Sequence, residues 1–357
     1  MSYGNYPSLD NVNKVLVIKL RHLGDVLLVS PVFNTLKRIL PNAKIDTYIY
    51  KESYPMVEGH PCLDDVICYD RNWKKYPFFK RLKKEYEILK KIKNNKYDLV
   101  INLTEGDRGA LAAKFSKAAI KVGFDPKESG IKGKRKFYTH LIKNCPTPRH
   151  SVEKNLDSLR RIGINPTEED KEVKFVIPKE DEEYILNLLS ENGFEKKGYI
   201  LIHPSSRWRF KCYPKEKLLI VCKELLKRKE KLIFTAGNDD YEKEMISYLE
   251  ENLSSSSVLN LAGKINLKKL GALLLHSKSM LCVDTVTLHM ASSLKTKGVV
   301  LFGPTSEINW GPWKNNQISV IISPMFSCRP CGMDGCGGSK ISDCLHSIQP
   351  EEIIIKL

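Results

Sequence analysis

Residues 199–214 read YILIHPSSRWRFKCYP. The apolar run Tyr199–Ile202 predicts a buried strand. Pro214 predicts a helix start, because a proline in the first helical turn removes no intrahelical hydrogen bond. Between them stand His203, Ser205, Ser206, Arg207, Arg209 and Lys211. Hydroxyls and cations gathered at the carboxyl end of a strand make a site for a polyanion. The GxxxxGK[ST] spacing of a P-loop is missing, so phosphate must be held here by another design.

The same strand–loop–helix pattern continues on both sides. Downstream, KLIFTAG (231–237), SVLNLAG (257–263), SMLCVD (279–284) and GVVLFGP (298–304) predict strands, with helices over 214–228, 239–251, 267–275 and 285–293. Upstream, KVLVIKL (14–20), KIDTYIY (44–50), DDVICYD (64–70) and YDLVINL (97–103) predict strands, with helices over 26–40 and 76–94. Such alternation builds a parallel sheet covered by helices on both faces. Residues 125–150 carry DPKESGIKGKRKFYTH and predict a mobile basic loop, followed by a helix over 151–162. VKFVIP then predicts a strand that passes through Pro178 into an acidic-started helix, which marks a domain joint. The expectation is an α/β chain of the GT-B class, with two doubly wound Rossmann-like domains facing a central cleft. Their spans are 1–178 for an acceptor-binding domain and 179–345 for a nucleotide-sugar-binding domain. The segment 346–357 is expected as an addition that packs back on the N-terminal domain.

A chain of 357 residues is long enough for two cores. No apolar run approaches the ~20 residues that span a bilayer. The polar start MSYGNYPSLDNVNK lacks a signal-peptide core, which predicts a cytoplasmic protein. Ten cysteines are then expected as reduced thiols. The net charge of +16 is uneven: residues 1–178 hold 34 Lys and Arg against 21 Asp and Glu, and residues 179–357 hold 24 against 21. A basic first half suits a large anionic partner or a solvated surface. Nucleic acid is not expected, because no recognised module interleaves stacking aromatics with these cations. Phe78, Leu82, Tyr86 and Leu89 recur at helical spacing among lysines. They predict a stripe facing the domain core, with an anionic membrane surface as the alternative.

Three further motifs carry chemistry. In KLRHLGDVLLVSP (19–31), Gly24 permits a tight turn and Asp25 stands at a helix start, as general base or as N-cap. In VDTVTLHMA (283–291), Asp284 ends a strand, Thr285 opens a helix whose free amides can hold a diphosphate, and His289 follows one turn on. LFGPTSEINWGPWKNN (301–316) forms a rigid aromatic wall after the last predicted strand. Asp239-Asp240 reads as a helix cap rather than a DxD metal motif. Cys328, Cys331, Cys336 and Cys344 follow C-x2-C-x4-C-x7-C, which leaves structural zinc, a redox pair and free thiols all open.

Taken in order, these motifs resemble the ADP-heptose:lipopolysaccharide heptosyltransferases of glycosyltransferase family 9. HPSSRWRFKCYP is similar to the HPTSRWxFKCW signature of the heptosyltransferase III branch, and WGPWKNN resembles its end-of-strand motif. The resemblance implies an inverting GT-B enzyme that needs no cofactor or catalytic metal and moves heptose from ADP-heptose to an anionic inner-core glycolipid. It implies Asp25 as catalytic base and Lys211 on the donor diphosphate. It also implies donor contacts from Ser205, Ser206, Arg207, Gly237, Asp284, Thr285 and His289. Arg21, His22, Arg108, Lys134 and Arg135 are the basic candidates for the acceptor, and the inner-membrane surface is a candidate partner. Val286 stands where many relatives carry glycine or alanine, and Tyr213 where they carry tryptophan. Another nucleotide sugar or glycan acceptor on the same scaffold is the alternative, with a basic nucleic-acid-binding protein as the reading from a different class.

Overall fold

The computed structural model describes residues 6–127, 129–143, 145–253 and 255–357. These divide into two compact units, Met1–Val176 and Ile177–Leu357. The first unit holds β1 (Lys14–Lys19), β2 (Lys44–Tyr50), β3 (Asp65–Tyr69), β4 (Leu99–Asn102), β5 (Ile120–Phe124) and β6 (His140–Ile142). They form one six-stranded sheet in the order β3-β2-β1-β4-β5-β6, parallel at every pairing. The second unit holds β7 (Tyr199–His203), β8 (Lys231–Phe234), β9 (Val258–Asn260), β10 (Ser279–Val283), β11 (Gly298–Phe302) and β12 (Ile318–Ile322). Their order is β12-β11-β10-β7-β8-β9, again all parallel. Each sheet reverses direction once, between β1 and β4 in the first unit and between β7 and β10 in the second. Ligands of doubly wound sheets bind outside the carboxyl ends of the strands at such switch points.

The central strands are buried throughout their length, as parallel strands covered on both faces must be. In the first unit Leu16, Ile18, Tyr48 and Val100 share a core with Ile88, Ile92 and Ala112. In the second, Ile200, Ile202, Phe234, Leu281 and Val299 share one with Leu218, Val221 and Leu225. Ile353 and Ile354, from the last helix (Pro350–Ile354), belong to this second core, and the Tyr213 hydroxyl donates to the Ile348 carbonyl at 2.8 Å. The terminal segment is thus built into the core of the unit that precedes it.

Several expectations are corrected. The helix foreseen over 26–40 is two, Leu23–Leu27 and Ser30–Ile39, because Pro31 has no amide to continue the first and instead opens the second. The basic stretch 125–150 contains β6 and a short 3-10 helix, Lys134–Phe137. Residues 172–178 form no sheet strand; Val173 and Phe175 are buried, and the Lys174 amide donates to Ser30 Oγ at 3.0 Å. The helix Phe78–Asn94 buries Ile88 and Ile92 and leaves Phe78, Phe79, Leu82 and Tyr86 exposed. Its apolar arc is wider than one packing face, and the rotation that buries the two isoleucines turns the aromatics to solvent.

Candidate active site

At the β7/β10 switch point the two sequence motifs of the second unit meet. Lys211 closes a 3-10 turn, Arg209–Lys211, in the loop after β7, and Asp284 directly follows β10. Lys211 Nζ donates to Asp284 Oδ2 at 2.6 Å. Thr305 Oγ1, from the loop after β11, donates to the same oxygen at 2.7 Å. The aspartate side chain is 6% exposed and the lysine 18%, so one carboxylate held from two sides fixes a cation at the rim. An ammonium has three donors, and this contact uses one. Thr285 is the N-cap of the helix Val286–Ser293 with no side-chain cap; the Leu288 amide donates to Thr285 O at 3.1 Å, which leaves the Val286 and Thr287 amides for another acceptor. His289 is buried beside Trp310, with ring centroids 6.3 Å apart.

The rest of the β7 loop is shaped from within. Cys212 Sγ lies 3.3 Å from the Ser206 amide and 3.4 Å from the Ser206 carbonyl. Burial pushes its thiol up to about 12, so it stays protonated and structural. Ser206 Oγ accepts from the Trp208 amide at 3.3 Å. The exposed guanidinium of Arg207 stands 4.9 Å from the Trp208 ring, and that of Arg209 stands 4.4 Å from Tyr241.

Sequence reasoning missed Glu242, a buried carboxylate in the first turn of the helix Asp240–Asn252. Its Oε2 accepts from Ser205 Oγ at 2.6 Å and from the Gly237 amide at 3.1 Å. A Cβ on Gly237 would stand 2.6 Å from Glu242 Oε1, so the approach requires glycine. Asp239 caps the same helix, accepting from the Tyr241 amide at 3.1 Å, as its sequence predicts.

At the β1/β4 switch point, Asp25 lies in the first turn of Leu23–Leu27, half-buried, and its carboxylate accepts no hydrogen bond among the described residues. His22, not Asp25, occupies the N-cap position. A second residue missed from sequence is Lys19, at the end of β1. It is buried and donates to Leu103 O at 3.3 Å and Asn155 Oδ1 at 3.1 Å. Asn155 Nδ2 in turn donates at 3.0 Å to Leu28 O, which follows the Asp25 helix. Burial lowers the Lys19 ammonium to about 8, and the opposing charge of Asp25 holds it from falling further. A lysine ending an otherwise apolar strand was the available signal.

The acceptor candidates come together only in part, with Arg21 and Lys134 both reaching Glu105. Arg21 and His22 are exposed beside Asp25, with Arg21 3.5 Å from Glu105. Arg108 is taken up internally: it pairs with Glu85 at 2.7 Å, donates to Tyr69 OH at 3.0 Å and stacks on that ring. Lys134 is buried, donating to Glu105 O and Asp107 Oδ1, each at 3.0 Å. It anchors the segment expected as a mobile loop, while Arg135 stays exposed 3.3 Å from Asp125. Among the described residues no three His, Cys, Asp or Glu side chains are grouped to hold a metal. Cys328, Cys331 and Cys336 are exposed free thiols and Cys344 a buried one.

Comparison with known proteins matches this arrangement. Residues 86–340 match the model of glycosyltransferase family 9 (heptosyltransferase). Lipopolysaccharide heptosyltransferase 3 of Escherichia coli is 30% identical over 84% of this chain and 86% of its own length, and that of strain K12 is 31% identical over 84% and 85%. Among solved structures, a family 9 glycosyl transferase from Veillonella parvula superposes with a TM-score of 0.82 at 22% identity, covering 99% of this chain and 98% of that one. E. coli ADP-heptose lps heptosyltransferase II superposes with a TM-score of 0.73 at 17% identity, covering 96% and 97%. Two Rossmann-like units of this topology in one chain are the GT-B fold, and the chain belongs to glycosyltransferase family 9, the heptosyltransferases.

Proposed function

We propose that this glycosyltransferase moves heptose from ADP-heptose to the lipopolysaccharide inner core with inversion, using Asp25 as general base and Lys211 to stabilise the departing diphosphate. The observation that carries the reading is the Lys211–Asp284 pair at the β7/β10 switch point, in a chain whose curated relatives are lipopolysaccharide heptosyltransferases. A structure of the E. coli relative WaaC with ADP-2-deoxy-2-fluoro heptose supports the donor class.

Inversion by single displacement needs a base on the acceptor hydroxyl and positive charge on the leaving group. Asp25 suits the first task because its carboxylate accepts no hydrogen bond among the described residues. Lys211, Arg207, Arg209 and the amides after Thr285 suit the second, which makes the transfer metal-independent. Ser205, Ser206 and Gly237 shape the donor pocket. Glu242 stands ready for a ribose hydroxyl, as acidic residues do in doubly wound nucleotide sites. Arg21, His22 and Arg135 are the exposed members of the set proposed for a phosphorylated acceptor.

The enzyme works in the cytoplasm at the inner-membrane surface. Among the described residues no helix is long and apolar enough to cross a membrane. Phe78, Phe79, Leu82 and Tyr86 are 57%, 83%, 47% and 64% exposed on a helix that also carries Lys80, Arg81, Lys83 and Lys84. Apolar side chains rimmed by cations suit an anionic bilayer. Flotation with anionic vesicles should carry wild type upward and leave Phe79→Ser largely behind; a wild type that stays wholly unbound sinks the membrane reading.

A panel of nucleotide sugars tests the function. ADP-heptose should be the donor turned over, with activity retained in EDTA. Turnover of another nucleotide sugar alone would favour the alternative suggested by Val286, and loss in EDTA would remove metal independence.

A further inference from the structure

Behind the donor pair lies the Cys-rich segment 326–344, which the proposed chemistry does not use. Its Arg329 side chain is only 6% exposed. Nε donates to Gly303 O at 2.6 Å, and Nη2 lies 3.1 Å from Glu307 Oε2 and 3.5 Å from Thr305 O. The Gly332 amide donates to Pro304 O at 2.9 Å. All these acceptors belong to the loop after β11, and Thr305 of that loop holds Asp284 through its hydroxyl. A second tie reaches the other partner: Ser342 Oγ donates at 2.7 Å to the carbonyl of Phe210, the residue before Lys211.

We propose that segment 326–344 is a strap that positions both Lys211 and Asp284 for the donor diphosphate, with Arg329 as its positioning residue. The inference rests on the reading of that pair as the diphosphate contact. A buried guanidinium bonded to two carbonyls and a carboxylate holds a loop in one geometry, because losing it leaves those acceptors buried and unpaired. Without Arg329 the loop loosens, Thr305 loses its register on Asp284, and Lys211 is no longer fixed. Ser342 limits movement from the Phe210 side.

Calorimetric titration of the full-length protein with ADP separates this from a purely structural role. Arg329→Gln should weaken ADP about tenfold, with Arg329→Lys in between, and Thr305→Val should cost a similar factor. The double variant should bind within about twofold of Thr305→Val, since both act through one contact. Unchanged affinity in Arg329→Gln, or losses that multiply in the double variant, overturns the strap. If Arg329→Gln does not fold, Ser342→Ala decides: a loss of about threefold supports the strap, and unchanged affinity overturns it. A wild type that binds no ADP removes the donor reading itself, and the strap with it.

Discussion

At the β7/β10 switch point the charged groups are already paired: Asp284 accepts from Lys211 and from Thr305. At the β1/β4 switch point, in a sheet of the same strand order, the Asp25 carboxylate accepts nothing among the described residues, while buried Lys19 feels its charge without taking it as a partner. A pre-formed pair holds its geometry and suits the binding of a charge that comes and goes with the leaving group. An uncommitted carboxylate, half-buried, suits the taking of a proton. One topology used twice therefore offers two different chemistries, and the difference lies in which side chains the loops after the strands supply.

The comparison breaks most sharply at Asp25. Asp25→Asn is isosteric and removes the base, so turnover should fall at least ~10²-fold with the fold intact. Full activity in a discontinuous transfer assay would end the assignment. Lys19→Met is expected to cost about tenfold in kcat/KM, because the ammonium holds Leu103 O and Asn155, and Asn155 in turn holds Leu28 at the end of the Asp25 helix. Its thermal midpoint should fall as well, since the buried Leu103 carbonyl and Asn155 amide oxygen lose their donor. A variant with a lower melting temperature and unchanged kcat/KM would make Lys19 structural only.

An effect on stability should be alike in both units. His60 accepts the Cys62 amide on Nδ1 at 3.2 Å and lies 2.8 Å from Ser30 Oγ through Nε2, so the ring is neutral and Nε2 carries the proton. His203 Nδ1 lies 2.9 Å from Thr235 Oγ1. Burial lowers each to about 4. The unfolded chain binds these protons more readily between pH 6.5 and 4, so stability is fully present above about 6.5 and is lost as pH falls toward 4, on the order of 3 kcal/mol per histidine. Chemical denaturation across that range should show the loss, reduced in His60→Gln; a flat pH dependence would contradict it.

Much of this was legible in the sequence, and the rest was hidden for physical reasons. Unbroken apolar runs such as KVLVIK and SMLCV announce central parallel strands. The edge strand β6 has three residues, and β5 carries Lys121, whose ammonium folds back to Ala118 O, so neither shows a clean pattern. Asp25, Lys211 and Asp284 were readable because each sits at a strand end beside a turn. Glu242, Thr305 and Arg329 were not, because their roles depend on partners 21 to 37 residues away in the chain, as in Ser205–Glu242, Asp284–Thr305 and Gly303–Arg329. Periodicity found the apolar arc of Phe78–Asn94 but could not say which side of it is buried.

The central claim is that the two switch points divide the reaction, with donor binding at Lys211 and proton transfer at Asp25. Titrating ADP-heptose into wild type, Asp25→Asn and Lys211→Ala tests it directly. Asp25→Asn should bind the donor as tightly as wild type while failing to transfer, and Lys211→Ala should lose about tenfold or more in donor affinity. Unaltered donor binding in Lys211→Ala, or its loss in Asp25→Asn, would contradict the division.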